Sequence, residues 1–217
     1  MVPWNTIDTV LLDMDGTLLD LRFDTYFWTE HVPKRYAETY GMTVDEAKAR
    51  LYPRMYELEG TMDWYCVDFW TEELGLDIGR LKEEVDHLIA VFPYVTAFLD
   101  TVRAAGKRAV LVTNAHHKSL NLKMDRTALG GHLDAVVCSH DLGLPKEEAP
   151  FWERLQEVEA YTPERTLLVD DNLAVLRSAQ AYGIAHLRAV LRPDTGMPPR
   201  EVTDFPAIQS FRELLPA

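Results

Sequence analysis

Short apolar runs recur along this chain at intervals that helices can bridge, and that alternation limits the fold more than any other feature. Residues 10–12, 109–112, 135–137 and 166–169 are too short for helices and too uniformly apolar for half-exposed strands, so they read as buried parallel strands. A weaker fifth run lies at 186–191. Helical patterns separate the later runs at 95–105, 117–129, 147–160 and 173–182, and Gly106, Gly130 with Gly131, and Gly183 supply stops for three of them. Strands joined by helices of this length form right-handed crossovers, which predicts an α/β fold with a doubly wound parallel sheet covered on both faces.

The alternation fails between residues 21 and 92, where helical patterns follow one another with no strand among them. That interval holds 13 of the 22 aromatic residues, a density suited to a small subdomain with little interior to bury. The expected organisation is therefore an α/β core from residues 1–20 and 93–217 with a helical cap, 21–92, inserted after the first strand. The stretch 192–206 reads as surface loop and 210–215 as a short last helix.

A net charge of −13 argues against nucleic acid or an anionic membrane surface as a partner, because both are gripped by basic faces. Neither a secretory leader nor a run of membrane-spanning length is evident, and Cys66 and Cys138 suggest neither a disulfide framework nor a zinc knuckle. A cytoplasmic location is the expectation. A small phosphate ester stays compatible with the acidic charge, provided a metal ion and a few basic groups reverse the potential locally.

The strand ends carry such groups. Asp13 and Asp15 follow the first strand, spaced so that both carboxylates project the same way, and Gly16 allows a tight turn directly after them. Thr113 and Asn114 end the second strand, Lys146 precedes a helix after the third, and Asp170 with Asp171 ends the fourth. Each has an innocent explanation as a helix cap or a solvated surface residue. Capping does not require that all of them meet at the carboxyl edge of one sheet, where open α/β folds place ligands. Four carboxylates gathered there need a compensating cation, and oxygen ligands without His or Cys favour Mg2+. Thr113 and Asn114 would then offer hydrogen-bond donors, and Lys146 a fixed charge, to a phosphoryl group.

These motifs, in this order, resemble the haloacid dehalogenase superfamily of hydrolases. The resemblance implies that Asp13 is a nucleophile forming an aspartyl-phosphate and that Asp15 is the general acid, then the base. It also implies that Asp13, the main-chain carbonyl of Asp15 and Asp170 hold Mg2+, with Asp171 supporting through the water shell. Superfamily dehalogenases lack the second acid, so Asp15 points to a phosphomonoesterase.

A narrower similarity, to the bacterial purine nucleotidases that dephosphorylate GMP and IMP, rests on Leu11 through Leu21, Phe23-Asp24, Tyr26-Phe27-Trp28, Trp64-Tyr65-Cys66 with Asp68 and Trp70, Thr113-Asn114-Ala115-His116 and Pro145-Lys146-Glu147. It implies a purine nucleoside 5'-monophosphate as substrate. The rival expectations are a phosphatase for another small metabolite such as a sugar phosphate, then a phosphomutase or a non-catalytic binding protein.

Overall fold

The computed structural model describes residues 2–215; Met1, Pro216 and Ala217, at the ends of the expected core, lie outside them. Six strands, β1 (Thr9–Leu12), β2 (Arg108–Thr113), β3 (Ala135–Cys138), β4 (Thr166–Asp170), β5 (His186–Val190) and β6 (Ala207–Ile208), form one sheet in the order β3-β2-β1-β4-β5-β6. Every pairing is parallel. Leu12 of β1 lies between Leu111 of β2 and Val169 of β4, so the ends of these three strands share one level.

The helices between Leu21 and Ala90 are α1 (Arg22–Tyr26), a π-helical turn (Phe27–His31), α2 (Val32–Tyr40), α3 (Val44–Leu58), α4 (Met62–Tyr65), α5 (Val67–Leu74) and α6 (Ile78–Glu84). Those of the sheet region are α7 (Val95–Ala104), α8 (His117–Thr127), α9 (Ser139–Leu142), α10 (Ala149–Val158) and α11 (Leu173–Tyr182).

Strand periodicity divides the interior into two layers. Leu12, Leu111 and Val169 pack with Phe98 and Leu99 of α7 on one face, while Leu11, Val110 and Leu168 meet Trp152 of α10 and Leu176 of α11 on the other. The helices of 22–84 gather a third apolar cluster around Phe23, Phe27, Leu51, Trp70 and Ile78. Most rings of this segment are thus packing, as expected where helices have no sheet to cover.

The structure differs from the sequence expectations in several places: α8 ends at Thr127, with Ala128 at φ +56° as its left-handed stop where Gly130 and Gly131 are expected to close it. β3 is the sheet edge, and Val136 is 41% exposed where a fully buried strand is predicted. The helix predicted over 147–160 begins only at Ala149, because Pro150 favours a first-turn position and fixes the start there. Lys146 and Glu147 are thereby left in a loop facing the sheet's edge. β6 is two residues long and carries no periodic signal.

Candidate active site

β1 and β4 lie at the switch point of the sheet, where the crossover from β1 to β2 and that from β4 to β5 run in opposite directions and open a crevice at the carboxyl ends. The Asp13 N–H still bonds the Val169 carbonyl at 3.0 Å, so its side chain emerges at that crevice. Lys146, 1% exposed, reaches it from the loop before α10. Its ammonium donates to Asp13 Oδ1 at 2.6 Å, Asp170 Oδ2 at 2.7 Å and the Val112 carbonyl at 3.1 Å, using all three protons. Asp13, Asp170 and Asp171 each bring an oxygen within 4.8 Å of the others.

One ammonium among three carboxylates leaves an excess of negative charge. Burial pushes Asp13 up to about 6, against the pull of Lys146 and helped by repulsion from Asp170. Burial raises Asp170 as well, and Asp171 well above the usual carboxylate range, with Asp13 and Asp170 adding to the latter. Lys146 is held firmly charged, because Asp13 and Asp170 outweigh the burial that opposes it. An all-oxygen donor set with surplus negative charge fits a hard divalent cation.

Asp15 turns to other partners. Its Oδ1 accepts from Lys123 Nζ at 2.7 Å; Lys123 also donates to Asp24 Oδ2 at 2.5 Å, and Asp24 Oδ1 accepts from Lys82 Nζ at 2.8 Å. Both lysines are buried, and the Lys82 ammonium stands 4.4 Å from the ring centre of Phe27. Burial pushes Asp15 up to about 6 although Lys123 pulls it down, and Asp24 and Asp13 push the same way as burial. For Asp24, burial is outweighed by Lys123 and Lys82, which hold it at about 2.

Glu147 joins the remaining loops. It accepts from Tyr65 OH at 2.7 Å, Asn172 Nδ2 at 2.9 Å and Asn114 Nδ2 at 2.9 Å. Asn114 Oδ1 accepts from the Lys146 N–H at 3.0 Å, so the Asn114 amide is engaged at both ends and fixes the Lys146 loop. Thr113, 1% exposed, accepts from the Ala115 N–H at 3.0 Å. Gly16, at φ +82°, tolerates no side chain: a Cβ there would stand 2.8 Å from Asp171 Cγ and 2.9 Å from Pro193 Cβ.

Residues 7–183 match the family model described as hydrolase, haloacid dehalogenase-like hydrolase. The chain belongs to the haloacid dehalogenase-like hydrolases. It is 38% identical over 216 residues to the GMP/IMP nucleotidase YrfG of Escherichia coli, covering 100% of this chain and 97% of that protein. A phosphoglycolate phosphatase of Pseudomonas syringae is 23% identical over 214 residues, 95% of this chain and 78% of that one. Among solved structures, the HAD phosphatase from Thermococcus onnurineus superposes with a TM-score of 0.77 at 24% identity, over 96% of each chain.

In this haloacid dehalogenase-like hydrolase, a cleft of about 790 Å3 is lined by Asp13, Asp15, Lys146 and Asp170 below and by Trp28, Trp64 and Tyr65 above. The sequence reading misses Lys82 and Lys123. A signal exists for each: Lys82 falls four residues after Ile78 and Lys123 three after Leu120, on the buried stripes of α6 and α8, where a solvated lysine does not belong. Glu147, within the helix expected at 147–160, gives no such signal.

Proposed function

We propose that the protein is a magnesium-dependent phosphomonoesterase that hydrolyses purine nucleoside 5'-monophosphates, GMP or IMP, through an aspartyl-phosphate on Asp13. The observation that carries the chemistry is the convergence of Asp13, Asp170 and Asp171 around Lys146 at the switch point. The substrate class is supported by full-length similarity to a GMP/IMP nucleotidase. In this reading, residues 1–20 and 93–217 are the core and 21–92 a cap that opens and closes over the cleft, in the cytoplasm.

Asp13, the main-chain carbonyl of Asp15 and Asp170 would hold the Mg2+, with Asp171 supporting them. When bound, the cation balances the surplus carboxylate charge and polarises the phosphoryl oxygens. An Asp13 oxygen attacks phosphorus, the bond from phosphorus to the 5'-oxygen breaks, and Asp15 gives its proton to the departing alkoxide. Asp15, now a carboxylate, takes a proton from water as that water attacks the acyl phosphate, releasing inorganic phosphate and restoring Asp13. A carboxyl group near pKa 6 serves both halves, since each protonation state is accessible near neutral pH.

Lys146 and the Thr113 hydroxyl stabilise the equatorial oxygens, Asn114 holds the Lys146 loop in place, and Lys123 orients Asp15. Trp28, Trp64 and Tyr65 offer flat surfaces for a purine and exclude water. A panel of phosphate esters with detection of free phosphate tests the substrate: Mg2+-dependent release from GMP and IMP above sugar phosphates is expected. Activity on sugar phosphates with none on GMP or IMP overturns the nucleotide assignment.

A further inference from the structure

A second group of metal-binding side chains lies beside the cleft and takes no part in the proposed hydrolysis. Cys66 sits where α4 meets α5, His116 follows β2, and His140 lies in α9 after β3. One ligand atom from each falls within 4.8 Å of the others. The two imidazoles stand edge to face with ring centres 5.0 Å apart. Nε2 of His140 is sealed from solvent yet meets no hydrogen-bond partner among the described residues, an arrangement that costs free energy unless something binds there.

We propose that Cys66, His116 and His140 form a second metal site, for a thiophilic divalent ion of the zinc class. Thiolate and imidazole donors select such an ion, as the all-oxygen set at Asp13 selects a hard one. The Cys66 sulfur already accepts the Phe69 N–H at 3.4 Å, a hydrogen bond that also supports a metal-bound thiolate. On binding, the sulfur–metal bond forms as the thiol proton leaves to solvent, and both rings bind as neutral imidazoles, His116 giving up the Lys118 N–H that its Nδ1 accepts at 3.3 Å. Water or Asp68, whose Oδ2 lies 3.7 Å from Nε2 of His116, completes a tetrahedral set. The neighbouring group of His117, Cys138 and Asp141 offers no buried, unpartnered donor like Nε2 of His140: His117 pairs with Asp141 at 2.9 Å, and Cys138 with the Ala115 carbonyl at 3.2 Å.

Cys66 comes from the helical segment above the cleft, and His116 and His140 from the segments that follow β2 and β3 of the sheet, so an ion here ties one to the other. If the cap moves as proposed, zinc at this site slows turnover; metal binding itself does not depend on that reading.

Titration of the whole protein with Co2+, read by the thiolate-to-cobalt charge-transfer absorption, is the test. Cys66→Ser keeps a side-chain acceptor for the Phe69 N–H and so preserves the helix cap while removing the thiolate. One equivalent of Co2+ is expected to give the band in wild type and in Cys138→Ser and no band in Cys66→Ser; in His140→Ala the midpoint is expected to shift by more than about tenfold. Stoichiometric Zn2+ under saturating Mg2+ is expected to slow wild type and spare Cys66→Ser. No band in wild type, or a band that survives Cys66→Ser, overturns the site, and equal Zn2+ inhibition of both proteins overturns its role as the tether.

Discussion

Replacing Lys123 with methionine separates the charge network from the packing that surrounds it, since methionine fills similar volume beside Phe23 without the ammonium. Lys123 lies 2.7 Å from Asp15 and 2.5 Å from Asp24 with 1% of its surface exposed. At an effective dielectric of about 20, unit charges 2.7 Å apart attract by about 6 kcal/mol before desolvation is subtracted. Breaking a buried pair typically leaves a loss of about 3–5 kcal/mol, a large share of a total stability of roughly 5–15 kcal/mol. With a urea slope of about 2 kcal/mol per molar, the midpoint should fall by about 2 M.

Asp24 keeps Lys82, so the uncompensated carboxylate is Asp15, and its pKa should rise above about 6 by roughly a unit or more. Single-turnover kinetics across pH should then show hydrolysis of the acyl phosphate reaching half its maximum at correspondingly higher pH. Adding Asp24→Asn restores charge balance, and the double variant should lose less stability than the sum of the two single variants. Wild-type urea stability together with an unshifted pH profile in Lys123→Met would refute the reasoning.

Asp15→Asn should slow alkyl phosphates far more than aryl phosphates, whose leaving groups need little protonation; equal losses on both would remove Asp15 as the acid. Asp13 and Asp15 titrate near 6 in the folded protein but near 3.8 when unfolded, so the fold binds the extra protons and loses stability as pH rises from about 4 to about 6. Thermal unfolding without metal should show this fall, and Mg2+ should raise Tm more at pH 7.5 than at pH 5; a larger Mg2+ effect at pH 5 would contradict it. Gly16→Ala should displace Asp171 and strain the turn, weakening Mg2+ activation by roughly tenfold or more in a metal titration, whereas Gly130→Ala, where a Cβ meets nothing within 4 Å, should not.

The sheet was legible because buried parallel strands leave continuous apolar runs, and Asp13, Lys146 and Asp170 were legible because strand ends at a switch point have a known destination. Asp15 and Asp24 could be seen as carboxylates, but not as neighbours through Lys123. That contact depends on how α8 and α6 turn their buried stripes toward α1, which no local pattern states. β6 was too short for periodicity, and β3 gave the same apolar run as a central strand although one flank is open. Asn114 reads in sequence as a donor to phosphate alone; that it also bonds Glu147 and the Lys146 N–H depends on how the loop before α10 folds back against the end of β2, which no local pattern states.

A crystal structure with Mg2+ and beryllium fluoride, a mimic of a carboxylate-bound phosphoryl group, tests the central claim most directly. The account predicts beryllium bonded to an Asp13 oxygen, with Mg2+ shared between Asp13 and Asp170 and Lys146 facing a fluoride. An anion bonded elsewhere, or Mg2+ that touches only one of the two carboxylates, would contradict it.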